Sequence, residues 1–217
     1  MPSKMKIFDI SRPISAKEPV YPGNAKVKLE FLKTFKKDGF GKLTTSGSVL
    51  SQISMGVHSA SHMDAPLHYV KNGKTVDKLP LENCIGWARV VDIGNSILEI
   101  GAKEVRRIKP KAGEIILFKT KNSKPRKKFD PDFAHLNERG ARELIKAGVK
   151  AVGIDGPSIR KFRLRPDTVH PLLLKNGIVI YEGLLLDKVK KDRYYFIGLP
   201  LKIVGAEGSP VRAVLIK

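Results

Sequence analysis

The chain has 217 residues, an apolar share of 41% and a formal net charge of +20 at neutral pH. This length and composition predict one globular domain over residues 1–217, large enough to bury a core, and exclude disorder across the whole chain. No apolar run approaches the roughly 20 residues that would span a bilayer, and the first residues lack the pattern of a secretory signal. We therefore expect a cytoplasmic protein with no membrane partner.

The net charge alone would favour an anionic partner such as nucleic acid. However, the lysines are spread along the chain, and their one concentration, Lys119–Phe129, has no interleaved aromatic side chains for base stacking. We interpret that run as a solvated loop, and we note that lysine-rich surfaces are also typical of heat-adapted proteins. The single cysteine, Cys84, excludes an intramolecular disulfide and is predicted to be buried at the edge of a strand.

Strand and loop signals alternate through the first half of the chain. Strands are predicted at MKIFDIS and, covered on one face, at KVKLEFLKTF, with a proline- and glycine-rich loop between them. After the glycine-rich turn KDGFGK comes the extended segment LTTSGSVLSQISMGVH. The compact apolar runs ARVVDIG and EIILFKT have the length of buried strands, and a short helix is predicted between them in SILEIGAKEVRRI.

Helices followed by strands dominate the second half. The clearest is NERGARELIKAGVKAVGID, in which apolar residues recur at helical spacing, Gly148 ends the helix and a buried strand follows. A second such unit is TVHPLLLKNGIVIYEG, and the last residues, from Tyr194 onward, return to strands. With no linker or repeat, these elements predict a single mixed α/β domain rich in β-structure.

Three of the five histidines fall within eleven residues, HSASHMDAPLH, beginning at His58. A straight strand would separate His58 from His62 by roughly 13 Å, too far for ligands that each lie about 2 Å from one ion. A helix would align these two histidines but turn Asp64 away. The small residues between them and Pro66 allow the chain to curl instead, so we predict a loop that leaves the end of a strand.

Imidazoles and a carboxylate in such a loop are ligands for zinc or manganese, and an aspartate can bridge two ions. The loop alone cannot complete a site. His170 is predicted to open a helix and Glu182 to end the next strand, so one helix–strand unit can present an imidazole and a carboxylate together.

The motif HSASHMDAPLH resembles the H-x-G-T-H-x-D-x-P-x-H signature of the metal-dependent cyclase family, which includes bacterial kynurenine formamidases (arylformamidases) and isatin hydrolases. The stretches DISRPISAKEPVYPG, GVKAVGIDGPSI and HPLLLKNGIVIYEGL resemble further family segments, in order, over most of the chain. Ala60 and Ser61 stand where the family has glycine and threonine. The resemblance implies a swivelling β/β/α fold, commonly a dimer or higher oligomer, and a metal-dependent hydrolase of a C–N bond in a small-molecule substrate.

Carried over by position, the resemblance implies a two-metal site with five ligands: His58, His62, Asp64, His170 and Glu182. Asp64 would bridge the two ions, and Glu182 would contact both. The same resemblance implies that His68 is the general acid/base and that Tyr21, where formamidases usually have tryptophan, lines the substrate pocket. The alternative from another class is a basic nucleic-acid-binding protein with a structural metal site.

Other polar residues are assigned structural roles. His135 is interpreted as a satisfied structural histidine and Asp9 as structural, while Arg160 and Arg163 are interpreted as surface charge. For Asp155, a turn-forming role and a contact with a metal-bound histidine are equally open.

Overall fold

The computed structural model describes residues 5–34, 48–124 and 128–217. Thirteen strands and three α-helices lie in these ranges: β1 (Ile7–Asp9), β2 (Lys28–Lys33), β3 (Leu50–Ser54), β4 (His62–Asp64), β5 (Ile85–Gly94), β6 (Glu99–Ile100), α1 (Ala102–Ile108), β7 (Ile115–Thr120), β8 (His135–Leu136), α2 (Glu138–Ala147), β9 (Ala151–Ile154), α3 (Val169–Lys175), β10 (Val179–Glu182), β11 (Asp192–Ile197), β12 (Gly208–Pro210) and β13 (Val214–Ile216). The predicted turn KDGFGK, residues 43–47 and residues 125–127 of the basic run lie outside the described residues.

Nine strands form one curled sheet in the order β1-β13-β11-β5-β7-β9-β10-β4-β12. Its centre, β5-β7-β9-β10, is parallel, and the flanking pairs are antiparallel. The parallel strands are apolar on both faces because each face is covered, which gives one core on the side of α1, α2 and α3 and a second inside the curl. The predicted β-rich α/β fold is confirmed.

Helix α2 follows its sequence signals closely. Asn137 accepts a hydrogen bond from the backbone N–H of Gly140 at 2.9 Å, and Gly148 ends the helix at a φ of 72°. Ala141 and Leu144, on the apolar face, are fully buried against the sheet. Such caps and periodicity are local features, which explains why the helix is predictable from sequence.

Two expectations about surfaces are wrong. Strand β2 pairs only with β3 among the described strands, and both of its faces are exposed, including Leu29 and Phe31 at 58% each. The basic run is not simply a solvated loop, because Asn122 and Ser123 within it are buried. Lys119, at its start, donates hydrogen bonds to two backbone carbonyls of the 187–189 segment.

Gly183 sets the approach of two segments at the end of β10. It has a φ of 68°, and a Cβ there would overlap the carbonyl oxygen of Ala60. Gly177 has a φ of 72°, but a Cβ there would meet no described atom within 4 Å. The two glycines therefore share a backbone conformation and differ in crowding.

We predict that Gly177→Ala lowers the free energy of unfolding by about 1 kcal/mol, the cost of a left-handed conformation. Gly183→Ala should cost a further 1–3 kcal/mol or so, because the added methyl group must displace the Ala60 segment. Urea unfolding of both variants measures the difference. Equal losses would show that the close approach to Ala60 does not constrain the fold.

Candidate metal centre and active site

The chain curls between His58 and His62, as predicted. Ala60 lies in the left-handed region at a φ of 54°, and the two imidazole centroids are 5.1 Å apart. His62 and Asp64 do not lie in the predicted loop, however, but in strand β4. Their alternation puts both side chains on one face, while Met63 points into the inner core.

The curl brings His58 and His68 to the Asp64 carboxylate. Nδ1 of His58 lies 2.9 Å from Oδ1 of Asp64, and the rings of His58 and His68 are 4.1 Å apart between centroids. Ligand atoms of these three residues all lie within 4.8 Å of one another. One candidate metal-binding group is therefore assembled within a single short segment.

The second candidate group comes from α3 and β10. Strand β10 pairs antiparallel with β4 so that Glu182 faces His62, and Oε2 of Glu182 lies 3.3 Å from Nε2 of His62. Nε2 of His170 lies 3.0 Å from Oε1 of Glu182 and 3.7 Å from Oδ2 of Asp64. Ligand atoms of Asp64, His170 and Glu182 also lie within 4.8 Å of one another, so Asp64 belongs to both groups.

The hydrogen bonding of Asp64 fits a metal ligand. The residue is 1% exposed, and neither carboxylate oxygen accepts a hydrogen bond from any described residue, although Nδ1 of His58 lies close to Oδ1. A buried carboxylate without donors is costly, and divalent cations would satisfy both oxygens. The donor set of imidazoles and carboxylates suits zinc or manganese.

Burial and neighbouring charges shift the pKa values of this centre. Burial lowers the pKa of His170, but hydrogen bonds with Asp167 and Glu182 raise it overall to about 10. The pKa of His62 is also raised, because the Glu182 and Asp64 carboxylates outweigh burial. Burial raises the pKa of Glu182, yet its hydrogen bonds with His170 and His62 bring it well below the usual range. The cluster thus stabilises Glu182 in its anionic form.

His68 behaves differently from these two histidines. It is half-buried, and burial lowers its pKa below the ordinary value even though the Asp64 carboxylate acts in the opposite direction. Its imidazole is therefore neutral at neutral pH and able to accept a proton.

A cavity opens directly beside the candidate metal-binding cluster. His58 and His62 line one part of it, and Tyr21 and Phe129 line another. The Tyr21 ring packs edge-on against Phe129 and Phe162, with centroids 5.4 and 5.6 Å away. Tyr21 is thus next to the predicted site, together with aromatic residues that the sequence did not single out because they lie far along the chain.

Asp155 anchors a loop. Its contacts agree with the turn-forming role and not with a hydrogen bond to a metal-binding histidine. Its carboxylate accepts hydrogen bonds from the backbone N–H and hydroxyl of Thr120 at 2.7 and 2.6 Å and from the hydroxyl of Ser123 at 2.7 Å. Among the described residues, no histidine hydrogen-bonds to it. These contacts fix the turn after β7 beside the cavity.

The interpretation of Arg160 as surface charge is wrong. Its side chain is 17% exposed, and its Nε lies 2.7 Å from Oδ2 of Asp167.

Arg163 is exposed, as expected, and Asp9 pairs with Arg212 at 2.6 Å. His135 is buried and hydrogen-bonds to the carbonyl of Phe133, in agreement with a structural role. Sequence reasoning missed Asp167, for which the signal is its position three residues before His170.

The sequence profile of the family described as "Putative cyclase" matches residues 8–161. The chain is 34% identical over 212 residues to "Kynurenine formamidase" of Salinibacter ruber (strain DSM 13855 / M31), which covers 97% of both chains. It is similar to "The structure of predicted metal-dependent hydrolase from Bacillus stearothermophilus", with a TM-score of 0.84, 31% identity and 99% coverage of both chains. The chain therefore belongs to the cyclase family.

An isatin hydrolase bound to the product analogue thioisatinate shares the fold, with a TM-score of 0.85 at 19% identity over 98% of this chain and 92% of that one. Together these findings confirm the predicted family and an amide hydrolase that acts on a small molecule. They favour an enzyme over a nucleic-acid-binding protein. No helix among the described residues is long and apolar enough to cross a membrane.

We predict that zinc or manganese raises the unfolding free energy of the metal-stripped protein, by about 2.7 kcal/mol for each ion whose concentration is 100 times its dissociation constant. His58→Ala should lose most of this increment because it removes a ligand atom. His135→Ala, at a buried histidine outside the cluster, should retain it. Thermal or urea unfolding with and without metal makes the comparison, and an equal increment in both variants would contradict a ligand role for His58.

Proposed function

We propose that this chain hydrolyses the amide bond of an N-formyl aromatic amine at a centre of two zinc or manganese ions. The observation that carries the proposal is a cavity lined both by His58 and His62 and by the aromatic side chains of Tyr21 and Phe129. A reacting amide could thus lie beside the ligand cluster while its ring packs against this aromatic wall. The similarity to a kynurenine formamidase supports the same substrate class.

The proposed ligands are His58, His62, Asp64, His170 and Glu182. In this arrangement His58, His62 and Asp64 would hold one ion, Asp64 would also serve the ion held by His170, and Glu182 would contribute to both. Cations bound there would act as Lewis acids that polarise a carbonyl group and lower the pKa of water from 15.7 to roughly 7. The protein itself holds the Glu182 carboxylate ionised through its contacts with His170 and His62, and it keeps bulk water away by burying Asp64, His170 and Glu182.

We assign the proton transfers to His68. With its lowered pKa, the neutral imidazole can accept a proton from the attacking water and then donate it to the departing amine nitrogen. Formate and the free amine are the resulting products. A ring nitrogen of His68 lies within 4.8 Å of ligand atoms of His58 and Asp64, so the imidazole is next to the proposed ligands.

We further propose a homo-oligomer in which the exposed apolar side chains of the β2–β3 ribbon are covered, because an isolated two-stranded ribbon is marginally stable. A monomer in sedimentation equilibrium would exclude this.

One domain over residues 1–217 agrees with the pairing of β1 with β13, near the two ends of the chain. A cytoplasmic location agrees with the single, buried Cys84.

We predict that the metal-loaded enzyme hydrolyses N-formylaniline. Tyr21→Ala should lower kcat/KM for this substrate roughly tenfold, since an aromatic pair contributes about 0.5–1.5 kcal/mol beyond its buried area. The same variant should leave hydrolysis of a small aliphatic formamide nearly unchanged, and Tyr21→Phe, which keeps the ring, should behave as the parent. No formamide hydrolysis by the loaded parent would exclude this substrate class, and equal losses on both substrates would exclude Tyr21 as the aromatic wall.

We predict that His68→Ala lowers kcat by about 10²–10⁴-fold, the usual contribution of general acid/base catalysis. Metal content, measured by elemental analysis after gel filtration, should match that of the parent. Loss of an ion from His68→Ala would instead make His68 a ligand, and parental kcat would exclude it from the reaction.

A further inference from the structure

The carboxylate of Asp167 connects α3 to the metal centre. Its Oδ2 lies 2.7 Å from Nδ1 of His170 and 2.7 Å from Nε of Arg160. Its Oδ1 accepts hydrogen bonds from the backbone N–H groups of Val169 at 3.0 Å and His170 at 3.3 Å. Asp167 therefore holds both the backbone and the ring of His170.

We propose that Asp167 is a positioning residue that orients His170 as a ligand of the second ion, an inference that rests on the proposed function. An imidazole offers a lone pair to a cation at only one nitrogen when the other carries the proton. A hydrogen bond from Nδ1–H to Asp167 keeps the proton at Nδ1, so Nε2 is the atom directed at Asp64 and Glu182. A carboxylate in this position also increases the basicity of the ligating nitrogen.

Two further side chains hold this pair in place. Arg160 donates through Nη1 to the backbone carbonyls of Lys161 at 2.9 Å and Leu164 at 3.1 Å, which fixes the guanidinium against Asp167. The ring of Tyr69 stacks on that of His170, with a centroid separation of 4.9 Å and an interplanar angle of 12°. Both rotation of the imidazole and movement of the carboxylate are thereby restricted.

The contacts of Asp167 support His170 and not the other two proposed histidine ligands. Nδ1 of His62 bonds to the backbone carbonyl of Ala60 at 3.2 Å rather than to a carboxylate. Nδ1 of His58 faces Asp64, itself a proposed ligand. Loss of the Asp167 charge should therefore weaken binding of the ion held by His170. It should leave binding of the ion held by His58 and His62 largely unaffected.

The test is a titration of Zn²⁺ or Mn²⁺ into metal-stripped protein in competition with a chelating dye. In Asp167→Asn, which keeps the size and an oxygen acceptor, the affinity of one of two ions should fall about 10–100-fold. Activity should return at saturating metal. Arg160→Met should cause a smaller loss at the same ion, and the double variant should bind no more weakly than Asp167→Asn alone, because Arg160 acts through Asp167.

Two controls separate positioning from stability. Leu172→Ala removes apolar packing from the same helix, so it should lower the unfolding free energy without changing metal affinity. Asp9→Asn removes an exposed ion pair away from the site and should change neither. Parental affinity of both ions in Asp167→Asn, or an equal loss of affinity in Leu172→Ala, would overturn the proposal. A parent that binds no cation would overturn the proposed function and this inference with it.

Discussion

The antiparallel pairing of β4 with β10 is the constraint on which the candidate site depends. Its register places Glu182 opposite His62 and Ile180 opposite Asp64, so the two carboxylates and one imidazole share a sheet face. Because β10 also pairs parallel with β9, it is fixed within the buried part of the sheet. A slip of one residue in this register would turn Asp64 towards the inner core and separate the two halves of the centre.

This arrangement concentrates charge where burial makes charge expensive. Asp64, His170 and Glu182 are each less than 5% exposed, and the Asp64 oxygens accept no hydrogen bond from the described residues. Such a cluster lowers stability without a bound cation, and the rest of the fold must offset that cost. The buried faces of the parallel strands do so, while Asp167 and Arg160 add local support for His170 through hydrogen bonds.

Local signals were enough to predict much of the fold. The limits of α2 follow from Asn137 and Gly148, and the buried strands follow from short apolar runs, since caps and periodicity depend on neighbouring residues. The errors concern contacts between distant residues. Leu29 and Phe31 alternate with charged residues, as in a half-buried strand, but their exposure depends on what packs against β2. In the sequence Arg160 looks like any other of the many basic residues. Its ion pair with Asp167, which sets it apart from a surface charge, is visible only in the structure.

The sequence by itself determined the family, the amide-hydrolase class and the candidate ligands, because residue types and their order along the chain carry that information. It also determined that the chain must curl between His58 and His62, since no regular element brings them together. Only the tertiary structure decided that Tyr21 meets Phe129 and Phe162, that Asp155 anchors a loop and that Asp64 is shared by two groups. The physical reason is that these contacts join residues far apart in sequence, and their distances are set by sheet register and packing rather than by local preference.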